Sequence, residues 1–237
     1  MIKFPKTYRL KSVLERDGIY TKFKNLNAVI EEKVDGANSG ISFDSDGNLL
    51  LQSRGHYLEG HARERQFNLF KTWANQNIEY LFDILQDKYL LFGEWCYAKH
   101  HIFYDNLPHY FLAFDLYDKK EEKFLSNHRF KEVIKGDIIH TVPLLYEARF
   151  DKINNFGQFI KNTSLKTKDW RQKLIEMASY EEFTHTDPSD LMEGIYVKIE
   201  NDDYVVDRMK NPRPEFTKAI NDDDHWMDRP IVTNLLK

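Results

Sequence analysis

Apolar residues recur along this chain with two different periods, and the switches between them mark its elements. Residues 28–53 alternate in the manner of strands and predict a hairpin. Its two runs flank Asp44-Ser45-Asp46-Gly47-Asn48, with Asp46-Gly47 as the turn. Over residues 64–86 the spacing becomes helical, through Phe67, Phe70, Trp73, Ile78, Leu81, Phe82 and Leu85, with a break at Asn75-Gln76-Asn77. Tyr89 to Cys96 and Tyr110 to Tyr117 are apolar enough to be buried strands. Ser126 caps a short helix running to about Ile134. Thr141 to Tyr146 reads as a strand that Pro143 confines to a sheet edge. Residues 151–183 read as mostly helical. Met192 to Glu200 and Tyr204 to Met209 form a second hairpin around Asn201-Asp202-Asp203. Together these predict an α+β fold, with antiparallel sheets and helices packed outside them.

Composition narrows the function. The 237 residues contain no repeat and no low-complexity linker, so one domain spanning 1–237 is expected. No stretch is apolar enough to cross a membrane, and Met1-Ile2-Lys3-Phe4-Pro5-Lys6 lacks the apolar centre of a signal peptide. Cys96 is the only cysteine, which excludes an internal disulfide and cysteine-rich zinc sites and fits a reducing, cytoplasmic compartment. A net charge of -4 argues against indiscriminate nucleic-acid binding, yet leaves room for a locally positive groove. Two stretches are locally basic: Lys161, Lys166, Lys168, Arg171 and Lys173, and Arg54, His56, His61, Arg63 and Arg65.

The candidate chemistry centres on Lys33-Val34-Asp35-Gly36, at the end of the β-patterned run Ala28-Val29-Ile30-Glu31-Glu32. A lysine beside an acid and a tight glycine turn can act as a covalent nucleophile, provided burial or nearby cations lower its pKa. Downstream, Ser53-Arg54-Gly55 returns an arginine towards the lysine strand. Phe92-Gly93-Glu94 ends a buried strand, and Phe114-Asp115 lies in an aromatic one. Glu193-Gly194-Ile195-Tyr196-Val197-Lys198 puts an acid and a lysine in one strand, and Arg208-Met209-Lys210 puts two cations on one strand face. A nucleoside triphosphate needs these residue types. Cations hold its phosphates, carboxylates hold its metal waters or ribose, and an aromatic face covers its base.

In this order the segments resemble the motifs of the covalent nucleotidyltransferase superfamily, which contains polynucleotide ligases and messenger RNA capping enzymes. Glu32-Lys33-Val34-Asp35-Gly36-Ala37-Asn38 is most similar to the phage-type ATP-dependent RNA ligases that seal nicks in duplex RNA. The resemblance spans residues 32–210 and implies the ligase adenylation fold. It implies that Lys33 takes AMP from ATP with Mg2+ or Mn2+, passes it to an RNA 5′-phosphate, and that a 3′-OH then closes the bond. Catalytic roles would fall on Lys33, Glu193, Lys198 and Lys210. Nucleotide contacts would come from Glu32, Lys33, Asp35, Asn38, Arg54, Glu94, Phe114, Lys198, Arg208 and Lys210. Phe114 would stack on adenine, and Glu193 would hold the metal through water.

Two departures accompany the resemblance. Arg208 stands where RNA ligases of this type often carry lysine. Only 27 residues follow Lys210, including the acidic Asn221-Asp222-Asp223-Asp224, so a catalytic domain without an OB-fold or C-terminal domain is expected. The partner expected is RNA with 3′-OH and 5′-phosphate ends, presented as a nicked duplex. A DNA ligase, a capping-type nucleotidyltransferase and a non-catalytic RNA-end binder are the alternatives.

Overall fold

Two mostly antiparallel sheets form the body of the protein, each covered by helices on its outer side. The computed structural model describes residues 1–221 and 230–237, without the side chains of 62, 63 and 219–221. The run Asp222-Asp223-Asp224 lies outside the described residues. The strands are β1 (Tyr8–Arg9), β2 (Asn27–Lys33), β3 (Ala37–Phe43), β4 (Leu49–Ser53), β5 (Tyr89–Trp95), β6 (Phe111–Asp118), β7 (Lys123–Phe124), β8 (His140–Thr141), β9 (Leu144–Arg149), β10 (Gly194–Glu200) and β11 (Val205–Pro212). The first sheet has the order β1-β11-β10-β2-β9. The second has the order β4-β3-β5-β6-β7, with β8 beside β6.

The helices follow the apolar pattern. Helices α1 (Leu10–Leu14) and α2 (Ile19–Phe23) cover the outer face of the first sheet, where Val13, Phe23, Ala28, Ile30, Ile195, Val197 and Met209 share a core. Helices α3 (Asn68–Gln76) and α4 (Ile78–Leu85) cover the second sheet through Phe70, Ala74, Leu81 and Leu85. They part at Asn77, at the expected break, where Asn77 Nδ2 donates to the Trp73 carbonyl at 2.8 Å. Helix α5 (Asn127–Val133) is capped by Ser126, whose side chain accepts from the Arg129 amide.

Three expectations need correction. The hairpin predicted over 28–53 is only its second half: β3 and β4 pair around the Asp44–Asn48 turn, but β2 belongs to the other sheet. The chain changes sheets through Val34-Asp35-Gly36. The predicted strand over Thr141 to Tyr146 is likewise split at Pro143 into β8 in one sheet and β9 in the other. The Pro143 carbonyl accepts from Glu32 N at 2.9 Å, and Val142 N donates to Ala113 O at 3.0 Å, so the two crossings lie side by side. Residues 151–183 are not mostly helical. Two short 3-10 turns, Phe150–Lys152 and Phe156–Phe159, and an irregular run precede α6 (Trp170–Met177) and α7 (Tyr180–Thr184). Phe150 and Phe156 pack on the α2 core instead of forming a helix face, and Asn155 caps the second turn by accepting from Gly157 N.

Backbone fit holds the crossing in place. A Cβ on Gly36 would lie 2.8 Å from the Trp95 carbonyl and 2.9 Å from Glu94 Cγ, so only glycine lets β3 leave this close to β5. Asp35 ties the crossing to the loop after β5: its Oδ2 accepts from the His101 and Ile102 amides at 2.8 and 2.9 Å. The C-terminal segment docks at the same place. Asn234, fully buried, accepts from Tyr104 N and donates to Cys96 O, each at 2.8 Å. α8 (Pro214–Asn221) follows β11 directly.

Candidate active site

The inner faces of the two sheets diverge into a cavity of about 270 Å³ where the chain crosses between them. Strand alternation decides what lines it. In β2 the residues Ala28 and Ile30 point to the helix-covered core, so Glu31 and Lys33 point the other way, into the cavity. Register places Tyr196 opposite Glu31, and Lys210 opposite Tyr196, on the same face. From the second sheet come Asn38 and Glu94, directly paired across β3 and β5, with Arg54 just beyond β4.

Phe114 enters by a different route. Between Phe92↔Asp115 and Gly93↔Ala113 the β5–β6 register skips one residue, and that residue is Phe114. The bulge turns its ring into the cavity and frees its carbonyl from the ladder. Lys198 Nζ takes up that carbonyl at 2.8 Å.

Charge in the cavity is dominated by carboxylates around the lysine. Lys33 Nζ donates to Glu193 Oε2 at 2.7 Å and lies 2.7 Å from Oε1. Burial alone would lower the Lys33 pKa, but Glu193, Glu94 and Asp35 outweigh it and hold the amine above its ordinary value. The depressed amine expected from sequence is therefore not found at Lys33. It is found at Lys210, which burial, Lys33, Arg54 and Arg9 push down against the pull of Glu193. Burial drives Glu94 up to about 8 and Glu193 up to about 7, with Lys33 only partly offsetting it. Two desolvated carboxylates beside one lysine are a donor set that a hydrated divalent cation fits, because magnesium or manganese would relieve both. Asn38 Oδ1 is buried without a protein partner and faces the same space.

Of the residues expected at the site, Glu32, Lys33, Asn38, Arg54, Glu94, Phe114 and Lys210 line the cavity, and Glu193 reaches it through Lys33. Asp35 holds the crossing loop. Lys198 and Arg208 lie beneath the cavity and are not among its lining residues. Lys198 donates to Glu31 Oε1 at 2.8 Å and stands 3.7 Å from Asp115. The Arg208 guanidinium lies 3.8 Å from the Phe124 ring centroid and 3.6 Å from Asp115. Glu32 turns its carboxylate outward to Thr163, whose hydroxyl donates to it at 2.5 Å. Burial raises that carboxyl to about 7.

Sequence reasoning missed one wall. Phe4, Pro5, Lys6 and Thr7 cross the cavity mouth and line it. This strap is anchored at both sheets. Gln52 Nε2 donates to the Ile2 carbonyl at 2.8 Å, and the Phe4 ring sits edge-on to Phe92, Phe114 and Phe124 at 5.1, 5.3 and 5.6 Å. Thr7 Oγ1 is 3.3 Å from the Tyr196 hydroxyl, and Tyr8-Arg9 then pairs in parallel with Met209-Lys210. The aromatic Phe4 was the available signal, but its partners are far away in sequence.

Paired sheets with a lysine at their crossing, facing a cavity of carboxylates and cations, have the architecture of the covalent nucleotidyltransferase fold. The RNA ligase family model matches residues 27–212, and the chain belongs to that family. Solved structures of the Naegleria gruberi RNA ligase resemble it. A lysine-to-alanine mutant with ATP and Mn aligns at 16% identity with a TM-score of 0.57, covering 94% of this chain and 59% of that one. A glutamate-to-alanine mutant with AMP and Mn gives 15% and 0.58, and the ligase with PPi gives 16% and 0.58, both with the same coverage. At this identity the likeness concerns the fold, and the chain spans 59% of the length of those ligase chains. No curated protein matches it in sequence. Among the described residues, no helix is long and apolar enough to cross a membrane.

Proposed function

We propose that this protein is an ATP-dependent RNA ligase that joins a 3′-OH to a 5′-phosphate, acting at nicks in duplex RNA, with Lys33 as its nucleophile. The observation that carries the reading is Lys33 at the sheet crossing, held on both Glu193 oxygens at 2.7 Å and facing a cavity that also presents Arg54 and Lys210.

In the first step the Lys33 amine forms a bond to the α-phosphorus of ATP, and the bond to the bridging oxygen of the β-phosphate breaks. Pyrophosphate leaves and lysyl-AMP remains. The amine must shed a proton, and Glu193 is the acceptor within reach. Glu193 and Glu94 would hold a divalent cation, Mg2+ or Mn2+, through its waters, and when bound it would neutralise charge developing on the phosphates. Lys210 and Arg54 bind phosphate oxygens, and Phe114 covers the base. Asn38 donates through its amide to the reacting phosphate. Lys198 and Arg208 act one layer lower, fixing Glu31 and Asp115 beneath the nucleotide.

AMP then passes to the RNA 5′-phosphate, and attack by the adjacent 3′-OH releases it. The Naegleria ligase structures with ATP, AMP and Mn support the nucleotide and metal assignment. The residues matched by the RNA ligase family model, 27–212, form the catalytic unit of this reading. The test is sealing of matched nicked duplexes in which the strand on each side of the nick is RNA or DNA. Preference for RNA at the 3′-OH strand supports the reading. Equal sealing of an all-DNA nick would make it a DNA ligase, and GMP transfer from GTP would make it a capping enzyme.

A further inference from the structure

A second groove opens beside the catalytic cavity at the end of β11. It has a volume of about 700 Å³, and its walls include Arg9, Lys11 and Lys218, with Asn211 and Thr217 as neutral polar neighbours. The remaining walls are Gly157, Ile160, Pro212 and Pro214, so among the described residues no acid lines it. Two acids lie near these walls in sequence, Glu15 and Glu215. Glu15 pairs with Lys11 along exposed α1 at 3.8 Å, a surface contact too weak to cancel the lysine, and Glu215 of α8 is not part of the wall.

The groove joins the cavity through one pair of residues. Arg9 is the register partner of Lys210 in the parallel β1–β11 pairing, so it stands on the strand next to a cavity cation. Its charge is felt there, since Arg9 helps lower the Lys210 pKa. Cations therefore run from Arg54 and Lys210 through Arg9 to Lys11 and Lys218.

We propose that this groove carries the phosphate backbone of the RNA strand as it leaves the reacting end, a surface separate from the nucleotide cavity. The proposal rests on the ligase reading given above. A run of flexible cations without intervening acids suits a flexible polyanion, because each phosphate neutralised releases a counterion whatever the base sequence. The neutral and apolar walls suit the sugar edge. ATP has no comparable extension, and its tail is already met by Arg54 and Lys210.

The test is the double variant Lys11→Glu/Lys218→Glu, both at exposed positions, against a charge-matched control, Lys120→Glu/Lys135→Glu, on exposed sites elsewhere. Three readouts are needed: lysyl-AMP formation from ATP, binding of a fluorescent nicked RNA duplex over a salt series, and sealing. The groove variant is expected to form lysyl-AMP like wild type and to bind RNA about tenfold or more weakly than the control. Its slope of log K against log salt should be shallower by about 1.5, from two lost phosphate contacts. RNA binding and salt slope equal to the control would overturn the proposal. So would a loss of lysyl-AMP formation that parallels the loss of RNA binding, since the groove would then serve the nucleotide. If wild type forms no lysyl-AMP, the ligase reading falls while the binding comparison still judges the groove. If wild type binds no RNA, the groove proposal falls with it.

Discussion

Replacing Lys198 with methionine should cost stability in a pH-dependent way. Lys198 is about 2% exposed at its side chain and stands between two acids as buried as itself, Glu31 and Asp115. Its amine donates to Glu31 Oε1 and to the Phe114 carbonyl, each at 2.8 Å. At an effective dielectric of about 20, contacts of 2.8 and 3.7 Å are each worth roughly 4–6 kcal/mol before desolvation is subtracted. The loss on removing the cation is smaller, because Glu31 can take up a proton instead. Burial already raises its pKa despite Lys198. Protonating an ordinary glutamate at pH 7.5 costs about 4 kcal/mol, which caps that part of the penalty. Asp115 keeps Arg208 at 3.6 Å. The variant should therefore lose about 3–4 kcal/mol at pH 7.5, in line with breaking a buried pair. A chain of this size loses roughly 2–4 °C in Tm per kcal/mol, so the melt should fall by about 6–16 °C. The sign with pH follows from Glu31. Its folded pKa is raised further in the variant, so the penalty is present at high pH and shrinks as pH falls towards the unfolded value. At pH 5 it should be about 1 kcal/mol. Thermal melts followed by circular dichroism from pH 5 to 8 read this directly. A loss of less than 1 kcal/mol at pH 7.5, or one that does not change with pH, would refute the reasoning and return Lys198 to the phosphates.

Three further outcomes follow from the site. Phe4→Ala removes three edge-on ring contacts and one face of the Arg208 stack, so ATP affinity should fall about tenfold while Tm falls by only a few degrees, measured by nucleotide titration and thermal melt. Glu193→Gln removes the strongest influence holding Lys33 protonated, so the midpoint pH for acylation of Lys33 by an amine-directed reagent, read by peptide mass, should move down; an unmoved midpoint would contradict the assigned field. Glu200, raised to about 7 by burial, contributes stability that is complete below about pH 4.5 and lost as pH rises through 7. Glu200→Gln can still accept from Asn127 N, so its stability should change less between pH 5 and 8 than that of wild type, by about 2–3 kcal/mol in denaturant titrations.

Elements whose partners are near in sequence were legible from the chain alone. The β3–β4 and β10–β11 hairpins, the Ser126 cap and the break at Asn77 each rest on contacts within a few residues. The crossing of β2 was not legible, because Val34-Asp35-Gly36 has the composition of a hairpin turn. Gly36 against Trp95, and Asp35 against His101, Ile102 and Tyr104, hold β3 to the other sheet. The candidate site was legible as a set of residue types, since strand alternation aims Lys33, Glu94 and Lys210 whatever the sheets do. Their depths were not. Lys198 and Lys210 look equivalent in sequence, yet Lys198 lies further along the sheet, opposite Arg208 and under Phe114, while Lys210, opposite Tyr196, stands on the cavity wall. The strap at Phe4–Thr7 was hidden because its partners, Gln52, Phe114 and Tyr196, lie scattered along the chain.

The central claim is that Lys33 carries AMP, and intact-protein mass tests it most directly. Wild type and Lys33→Ala would be treated with pyrophosphate to clear any existing adduct, then incubated with magnesium and either ATP or GTP. A gain of one AMP from ATP, seen in wild type and absent in Lys33→Ala, is the predicted result. A folded wild-type protein that gains nothing from ATP, or a Lys33→Ala variant that still gains AMP, would contradict the account.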